Sequence, residues 1–197
     1  MNLALFDFDG TITTREMFPD FMRFAVSKRR LLVGSLVFAP MVLGYKLGVV
    51  SGSTIRRHIV NFGFSGVRAD RFEKIGKQFS DDVLPDALRP MALERIRWHK
   101  AQGDVVMVVS GALDVYLRHW CRKHDVDLIC SSLEVENGRL TGRFRGAQCV
   151  GAEKPRRVRE TCKLDDFPVV YACGDTTEDF DLLSIAHKKF YRWQEVA

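Results

Sequence analysis

Three short apolar runs, each ending abruptly in polar residues, constrain the fold of this chain more than any other feature. They lie at residues 2–6, 105–109 and 169–173, and a weaker fourth run lies at 126–130. Apolar runs of this length are typical of strands buried on both faces. Helix-like stretches separate them at residues 85–102, 113–124 and 154–162. Strands that alternate with helices predict an α/β fold with a doubly wound, mostly parallel sheet.

Residues 14–84 break this alternation. The segment has helical periodicity and contains no strand ending in polar groups, so we expect a helical insertion after the first strand. Residues 135–145 differ again, because Asn137 and Gly138 stand between two short runs and favour a type I′ turn. The sequence therefore predicts a core made of residues 1–13 and 85–197, which includes one β-hairpin, and a helical domain of residues 14–84.

The charge of the chain is concentrated in the insertion. The chain has 197 residues, 46% of them hydrophobic, which is enough to bury a core, and its net charge is +5. Residues 15–77 carry a local charge of +8, and the remainder carries −3. A basic segment suits nucleic acid, a membrane surface or a phosphorylated metabolite. The segment contains no recognisable nucleic-acid-binding module, so we expect no nucleic-acid partner.

The five cysteines indicate a reducing compartment. Their number is odd, none forms a C-x-x-C pair and no secretion signal precedes them, so we expect free thiols in a cytoplasmic protein. The cysteines and the five scattered histidines also lack the spacing of a zinc site. Any metal must therefore be held by oxygen ligands.

Residues 31–45 form fifteen consecutive uncharged and mostly apolar positions inside the insertion, and basic residues flank them at positions 28–30 and at Lys46. The segment is shorter than the roughly 20 residues that cross a bilayer, and Pro40 should kink a helix there. Three interpretations stay open. The segment can belong to a buried helix pair, form an oligomer interface, or lie on an anionic membrane, held there by its basic flanks.

The polar residues after the first run can carry chemistry. Asp7 and Asp9 stand two positions apart at the strand end, so their carboxylates point the same way, and ionising both is costly without a cation or a shared proton. This arrangement suits a divalent metal together with a nucleophile and a proton donor. Gly10 and Thr11 allow a sharp turn and offer N–H groups to an anion. Taken alone, the motif is equally compatible with a solvated turn.

Three more polar clusters follow at positions where a doubly wound sheet places its ligand site. Ser110 and Gly111 offer a hydroxyl and N–H groups to a phosphate oxygen, although an ordinary helix N-cap has the same sequence. Lys154 begins a helix and is either a cation for a phosphoryl group or a surface lysine. Asp175 and Asp179 can complete an oxygen cage for Mg²⁺, or they can belong to an ordinary capped helix start.

In this order the clusters resemble the four signature motifs of the haloacid dehalogenase (HAD) superfamily of phosphotransferases. The matching positions are residues 7–11, Ser110, Lys154, and Gly174 and Asp175 with Asp179. An insertion directly after the first motif is the position of a C1-type cap. Residues 109–114 and 137–142 are similar to the phosphoserine-phosphatase-like branch, subfamily IB. The resemblance implies a HAD-like, Rossmann-like core with residues 14–84 as its helical cap.

The resemblance also implies roles for the motif residues in a phosphatase. Asp7 is expected to form an aspartyl-phosphate and Asp9 to act as general acid and base, with Lys154 as the third catalytic residue. The expected ligands of Mg²⁺ are Asp7, the main-chain carbonyl of Asp9, Asp175 and, in an orienting role, Asp179. The residues expected to contact the phosphoryl oxygens are Lys154, Ser110, Gly111 and Thr11.

Two further positions bear on the substrate, and a third bears on the metal site. Glu16 falls where phosphoserine phosphatases place a cap carboxylate that faces the substrate amine. The family's cap arginine is expected near Arg56 or Arg57, but a gapless match puts that position at His58. Glu178 stands where the family usually has Asn. We expect a small phosphorylated metabolite, such as phosphoserine, as substrate.

Two other functions compete with this one. Because of the apolar segment and the basic insertion, the chain also suits a phosphatase of phospholipid headgroups, of the phosphatidylglycerophosphate type, peripheral to the inner face of the membrane. The third possibility is an inactive binding module on a HAD scaffold, but such a protein has no need of both Asp7 and Asp9.

Overall fold

The computed structural model describes all 197 residues and confirms an α/β fold with a mostly parallel central sheet. The strands are β1 (Leu3–Phe6), β2 (Val105–Leu113), β3 (Asp127–Ser131), β4 (Leu133–Glu136), β5 (Arg139–Phe144), β6 (Val170–Gly174), β7 (Lys188–Tyr191) and β8 (Gln194–Val196). The α-helices are α1 (Phe18–Ala25), α2 (Lys28–Lys46), α3 (Gly52–Phe64), α4 (Ala69–Asp82), α5 (Pro90–Ala101), α6 (Asp114–His124), α7 (Glu153–Thr161) and α8 (Phe180–Ser184).

The central strand β1 positions the candidate site. The six-stranded sheet has the order β3-β2-β1-β6-β7-β8, and only β8 runs antiparallel to its neighbour. Leu3 at the start of β1 pairs with Val105 of β2 on one side and with Val170 of β6 on the other. Because these strands are parallel, their carboxyl ends meet at one edge of the sheet, and the polar residues that follow them lie together there.

Helices cover both faces of the sheet, as a doubly wound fold requires. Ala4 and Phe6 belong to an apolar cluster that includes residues of α5 and α6. Leu3 and Leu5 belong to a second cluster, which includes residues of α7 and α8. Side chains of a strand alternate between the two faces. The uninterrupted apolar sequence of β1 therefore fills both layers of the core.

The insertion is helical: α1 to α4 all lie between residues 18 and 82. Its aromatic core joins Phe21, Phe64, Phe72 and Phe79, with ring centroids 4.8–5.8 Å apart. The ring of Tyr116 in α6 lies 4.9 Å from that of Phe21. The insertion therefore shares an apolar cluster with one face of the sheet. The boundaries of a separate domain at residues 14–84 stay a prediction.

Helix α4 lies very close to α6 at Gly76. A Cβ atom added to Gly76 would lie 2.3 Å from the carbonyl oxygen of Val115, the second residue of α6. This distance is shorter than any normal contact, so only glycine allows the two helices to approach this closely. The insertion is thereby tied to a helix of the core.

Helix α2 contains the apolar segment, and the interpretation as a buried helix pair is wrong. Only Gly34 of this helix is buried, and most of its apolar side chains are exposed. The helix packs against α3 and α1. A uniformly apolar sequence does not indicate which side of such a helix is covered. Pro40 lies inside α2 without ending it. None of the helices combines the length and the hydropathy needed to cross a bilayer.

The predicted hairpin is formed by β4 and β5. Asn137 and Gly138 both have positive φ, 50° and 73°, as a type I′ turn requires. Next to this hairpin, the N–H of Gly66 in the insertion donates to the carbonyl of Leu140 at 2.9 Å. All five cysteines are free.

Candidate active site

The turn after β1 is shaped by a close contact with Asp175. Gly10 has a φ of 80°, and a Cβ atom there would lie 2.2 Å from Oδ2 of Asp175. A side chain at position 10 would therefore be strained and would displace the Asp175 carboxylate. The hydroxyl of Thr11 donates to Oδ1 of the same carboxylate at 3.2 Å. The first and fourth motifs are thus in direct contact.

Two residues distant in sequence hold this turn in place. The guanidinium Nε of Arg89 donates to the carbonyls of Gly10 and Thr13, at 3.2 and 3.0 Å. The indole N–H of Trp193 donates to the carbonyl of Thr11 at 3.2 Å. The sequence did not predict either residue. Every residue has a backbone carbonyl, so a side chain that bonds to one belongs to no recognisable motif. They satisfy backbone acceptors that the turn cannot satisfy itself.

Lys154 links the first motif to the fourth. Its Nζ donates to Oδ1 of Asp7 at 2.6 Å and to Oδ1 of Asp179 at 2.5 Å. Lys154, Asp7 and Asp179 are 2%, 5% and 1% exposed, so water screens these charges little. Burial lowers the pKa of Lys154, but the two carboxylates outweigh burial and hold it above its ordinary value. Lys154 is therefore a fixed cation at the strand ends.

Burial also raises the pKa of both carboxyls in the first motif. For Asp7 the loss of solvation dominates and raises the pKa to about 8, against the attraction of Lys154. For Asp9 burial raises the pKa to about 6, and the hydrogen bond that the N–H of Met17 donates to Oδ1 at 3.0 Å lowers it. Two carboxyls that resist ionisation at one sheet edge favour a cation beside them.

The acidic residues at the strand ends form a group suited to a metal ion. One carboxylate oxygen from each of Asp7, Asp175 and Asp179 lies within 4.8 Å of the others. Hard oxygen ligands of this kind suit Mg²⁺. Asp179 has little capacity left for direct ligation, because its Oδ2 accepts from the N–H groups of Asp175 and Thr176 and from the Thr176 hydroxyl. The Asp9 side chain is outside this group.

A cavity of about 270 Å³ opens above these residues. Its floor consists of Asp7, Asp9, Ser110, Gly111, Lys154 and Asp179. Residues of the insertion form another part of its wall: Glu16, Phe18, Tyr45, Gly52, Ile55, Arg56 and Ile59. Val150, Thr176, Thr177 and Glu178 complete the lining. A molecule that fills this cavity therefore contacts both the strand ends and the insertion.

Ser110 and Gly111 lie on the floor of the cavity. The Ser110 side chain is buried, and its Oγ accepts from the N–H of Ala112 at 3.2 Å. A Cβ atom on Gly111 would lie 2.7 Å from the Val150 side chain and 3.0 Å from Nη1 of Arg56. A larger residue at position 111 would therefore narrow the cavity between the insertion and the core.

The structure separates the two candidate arginines. Arg56 lines the cavity, and its guanidinium lies over the Phe18 ring, 5.5 Å from the centroid. Arg57 is exposed, contacts the Thr54 hydroxyl at 3.5 Å and does not line the cavity. His58 is also exposed. On helix α3 only Arg56 has the orientation expected of a cap arginine, because adjacent residues point in different directions.

Other site residues differ from the sequence-based expectations. Thr11, which was expected to contact a phosphoryl oxygen, directs its hydroxyl to Asp175 and does not line the cavity. Tyr45, at the end of the apolar segment, does line it and was not predicted. Glu178 lies close to α3, with Oε1 3.7 Å from a Cβ built on Gly52. The position of Tyr45 in the cavity depends on how distant segments pack together, so the local sequence could not predict it.

Comparisons with known proteins agree with this geometry. A family model of haloacid dehalogenase-like hydrolases matches residues 4–184. Protein CicA of Caulobacter vibrioides is 28% identical over 200 residues, which cover 96% of this chain and 85% of that protein. A phosphoserine phosphatase of Albidiferax ferrireducens is 34% identical over 101 residues, which cover 48% of this chain and 43% of that protein.

Two solved structures have a similar fold. A protein with unknown function from Bordetella pertussis Tohama I superposes with a TM-score of 0.80 at 23% identity, over 96% of this chain and 89% of that one. A substrate-bound phosphoserine phosphatase complex gives 0.69 at 23% identity, over 96% and 85% of the two chains. The family model and the phosphoserine phosphatase relative confirm the expectation of an enzyme. The chain belongs to the haloacid dehalogenase-like hydrolases and is a phosphatase similar to the phosphoserine phosphatases.

Proposed function

We propose that the protein hydrolyses a small phosphomonoester in two steps, with Mg²⁺ as cofactor and Asp7 as the nucleophile. The position of Lys154 carries this proposal. Its ammonium group is buried between Asp7 and Asp179 on the floor of the cavity. A cation in this position orients the attacking carboxylate and can also contact a phosphoryl oxygen. Residues 14–84 act as the cap over this floor.

The residues present fit a divalent cation. Asp7 and Asp175 would ligate it together with the main-chain carbonyl of Asp9, and Asp179 would orient Asp175 through the backbone bond at 3.1 Å. Lys154 carries a single positive charge, whereas the carboxylates of Asp7, Asp175 and Asp179 and a phosphate dianion must be accommodated together. Bound Mg²⁺ would neutralise phosphoryl charge and fix the phosphate for in-line attack.

Two proton-balanced steps follow from the positions of the carboxyls. An oxygen of Asp7 attacks phosphorus, a bond forms between that oxygen and phosphorus, and the bond to the leaving alcohol oxygen breaks. Asp9 gives its proton to that leaving oxygen. In the second step Asp9 accepts a proton from water, which attacks phosphorus and releases Asp7 and inorganic phosphate. Ser110, Gly111 and Lys154 hold the phosphoryl oxygens throughout.

The insertion residues in the cavity favour a small substrate that carries both signs of charge. Glu16 and Glu178 can face an amine, while Arg56 can face a carboxylate. A cavity of about 270 Å³ accommodates a metabolite of phosphoserine size. Arg56 supplies the cap cation that the gapless sequence match, which pointed to His58, did not provide. Phosphoserine or a similar amine-bearing phosphate is therefore the first candidate.

A second candidate substrate is the phosphorylated headgroup of a phospholipid. An apolar groove of about 280 Å³ runs between α1, α2 and α3, and Phe18 and Ile59 line both this groove and the catalytic cavity. A substrate whose phosphate lies at Asp7 could extend an acyl chain past these two side chains. A small polar metabolite makes no use of such a groove.

A screen of purified protein tests the reaction and the substrate. Activity is measured with and without Mg²⁺ on phosphoserine, common metabolite phosphates and phosphatidylglycerophosphate in detergent. Mg²⁺-dependent phosphate release, with a phosphorylated Asp7 recovered by rapid acid quench and peptide mapping, is the expected result. Turnover without a divalent cation, or a phosphorylated residue other than Asp7, would contradict the proposal.

Cation binding is measured apart from activity. Mg²⁺ should raise the thermal unfolding temperature of the wild type, since a ligand that binds only the folded state stabilises it. Asp175→Ala should remove this increase. Asp82→Ala serves as the control, because Asp82 is exposed on α4, away from the cavity. An equal increase in Asp175→Ala would exclude this carboxylate as a ligand.

A further inference from the structure

The outer side of α2 is an apolar surface without a partner. Leu32, Val33, Leu36, Val37 and Leu43 are between 51% and 73% exposed. They form the outer face of α2, and none of them lines the catalytic cavity or the apolar groove beneath the helix. Large apolar side chains that cluster in this way on a surface mark a site of interaction.

This apolar face lies in a part of the chain without negative charge. No Asp or Glu occurs between Phe21 and Ala69. The basic residues of the same stretch are Arg23, Lys28, Arg29, Arg30, Lys46, Arg56, Arg57 and Arg68. Lys28 and Arg29 at one end of α2, and Lys46 at the other, are exposed and have no acidic partner within 4.0 Å. A partner that binds the outer face of α2 therefore encounters unpaired positive charge at both ends of the helix.

The charge distribution argues against a second copy of this chain as the occupant. In a two-fold symmetric dimer the same patch of each subunit faces its counterpart. Contact through the outer face of α2 would bring the basic ends of two helices together, and α2 itself contains no carboxylate to compensate them. Like charges opposed across an interface cost several kcal/mol in the general case. The partner must instead be apolar where it contacts the outer face of α2 and negatively charged where it contacts the basic ends of the helix.

We propose that the outer face of α2 docks on an anionic lipid bilayer, with the helix axis parallel to the membrane surface. Lipid tails receive the apolar side chains, and lipid phosphates pair with Lys28, Arg29 and Lys46. This arrangement uses the outer face of α2 and the basic residues at both of its ends. It does not depend on the identity of the substrate or on the proposed catalytic steps.

Docking in this orientation places the catalytic cavity near the lipid surface. Tyr45, in the last turn of α2, lines the cavity. Phe18 and Ile59 line both the cavity and the groove under α2. The docked face and the active site are therefore joined through the same three helices. Tyr45 thus makes the docked helix part of the cavity wall.

Vesicle flotation tests the docking directly. Full-length protein is mixed with phosphatidylcholine vesicles that contain or lack phosphatidylglycerol, at low and at high salt. We expect binding to the phosphatidylglycerol vesicles at low salt, weaker binding at high salt because the charges are screened, and little binding to phosphatidylcholine alone. The double variant Leu32→Glu/Leu36→Glu should bind on the order of tenfold to a hundredfold more weakly.

A matched control distinguishes this face from general hydrophobicity. Met91 on α5 is 48% exposed, and Met91→Glu should bind like the wild type. Lys28→Gln/Arg29→Gln should lose most of the salt dependence. Sedimentation velocity and near-UV circular dichroism check that each variant stays folded. Activity of each variant on a soluble phosphomonoester should equal that of the wild type, so loss of docking and loss of catalysis are separate readouts.

Three results would overturn the proposal. The first is absence of binding to phosphatidylglycerol vesicles at low salt. The second is equal binding by the wild type and Leu32→Glu/Leu36→Glu. The third is a concentration-dependent dimer without vesicle binding that the same double variant abolishes, because the outer face would then bind a second copy of the chain.

Discussion

The ammonium nitrogen of Lys154 lies 2.6 Å from Oδ1 of Asp7, and both side chains are almost completely buried. The two residues are 147 positions apart in the chain. Their contact results from the parallel arrangement of the strands, which directs the end of β1 toward the start of α7. The same ammonium also binds Asp179, so a single cation connects the expected nucleophile to the acidic loop after β6.

Replacing Asp7 by Asn should abolish turnover and leave the fold intact. Asn has the same shape but cannot attack phosphorus as a carboxylate, and Lys154 keeps its bond to Asp179. We expect no phosphate release above background, and a thermal unfolding temperature close to that of the wild type. Asp9→Asn should be nearly inactive as well, because the leaving oxygen receives no proton.

Asp82→Asn is the control for both variants, since this exposed carboxylate of α4 lies outside the cavity. Steady-state phosphatase activity in Asp7→Asn would mean that another group is the nucleophile.

Replacing Lys154 by Ala should lower kcat by a factor on the order of 10² to 10³, as loss of one fixed charge-stabilising donor does elsewhere. The substitution also leaves Asp7 and Asp179 without their shared cation, so the free energy of unfolding should fall by about 3 kcal/mol. Steady-state kinetics and urea unfolding measure the two effects. Lys163→Ala, at an exposed position after α7, should change neither, and a matching loss there would refute the assignment.

Adjacent arginines in α3 should behave differently. Arg56 lines the cavity, while Arg57 is exposed and lies outside it. Arg56→Gln should raise KM for an anionic substrate by about tenfold to a hundredfold with little change in kcat, because a charge-assisted hydrogen bond contributes about 1.5–3 kcal/mol. Arg57→Gln should leave KM unchanged. Equal effects of both changes would indicate general attraction by the basic insertion.

Much of the core could be predicted because its signals are local. Buried strands have the sequence of apolar runs, and polar residues follow the runs that end at Phe6, Val109 and Cys173, although β2 itself continues to Leu113. Parallel order then brings Asp7, Ser110 and Asp175 to one edge without further information. The type I′ turn was equally predictable, since its positive φ angles select residues such as Asn and Gly.

The parts that sequence reasoning missed depend on contacts between distant segments. Tyr45 reaches the cavity only because α2 packs on α3, and Arg89 supports the turn through backbone carbonyls of Gly10 and Thr13. The exposure of α2 was not predictable either. An apolar helix has the same sequence whether another helix, a second subunit or a membrane covers it.

Replacing Gly76 by Ala should destabilise the protein, although Ala favours helices over Gly by about 1 kcal/mol. The added methyl group would lie 2.3 Å from the Val115 carbonyl oxygen, so α4 must move away from α6. Overpacking of this kind costs about 1–3 kcal/mol. In urea unfolding, Gly76→Ala should have a lower free energy of unfolding than the wild type. Gln78→Ala, at an exposed position of α4, should not. A gain in stability for Gly76→Ala would mean that α4 is not in close contact with α6.

The buried pair of His99 and Asp104 should make the stability of the fold depend on pH. Nδ1 of His99 lies 2.9 Å from Oδ2 of Asp104, whose Oδ1 accepts from the N–H of Asn2 at 2.7 Å. Burial lowers the pKa of His99 below its ordinary 6.5, and the nearby Asp104 offsets this only in part. The folded protein therefore holds His99 neutral at pH values where the unfolded chain binds a proton.

The sign of the effect follows from this difference. The unfolded state binds more protons as the pH falls through 6.5, so the free energy of unfolding should decrease from that pH downward. Burial raises the pKa of Asp104, but the hydrogen bonds from His99 and from the N–H of Asn2 together outweigh burial and lower this pKa. The contribution of Asp104 to stability is therefore lost only at pH values below 3.8. Urea unfolding of the wild type at a series of pH values should show the free energy of unfolding decrease as the pH falls below 6.5. In His99→Asn the amide can still donate a hydrogen bond near the position of Nδ1, but it does not titrate. The free energy of unfolding of this variant should therefore change less with pH between about pH 7 and 5. His58→Asn, at an exposed position, should follow the wild type, and a wild-type stability that rises on acidification would contradict the neutral, buried His99.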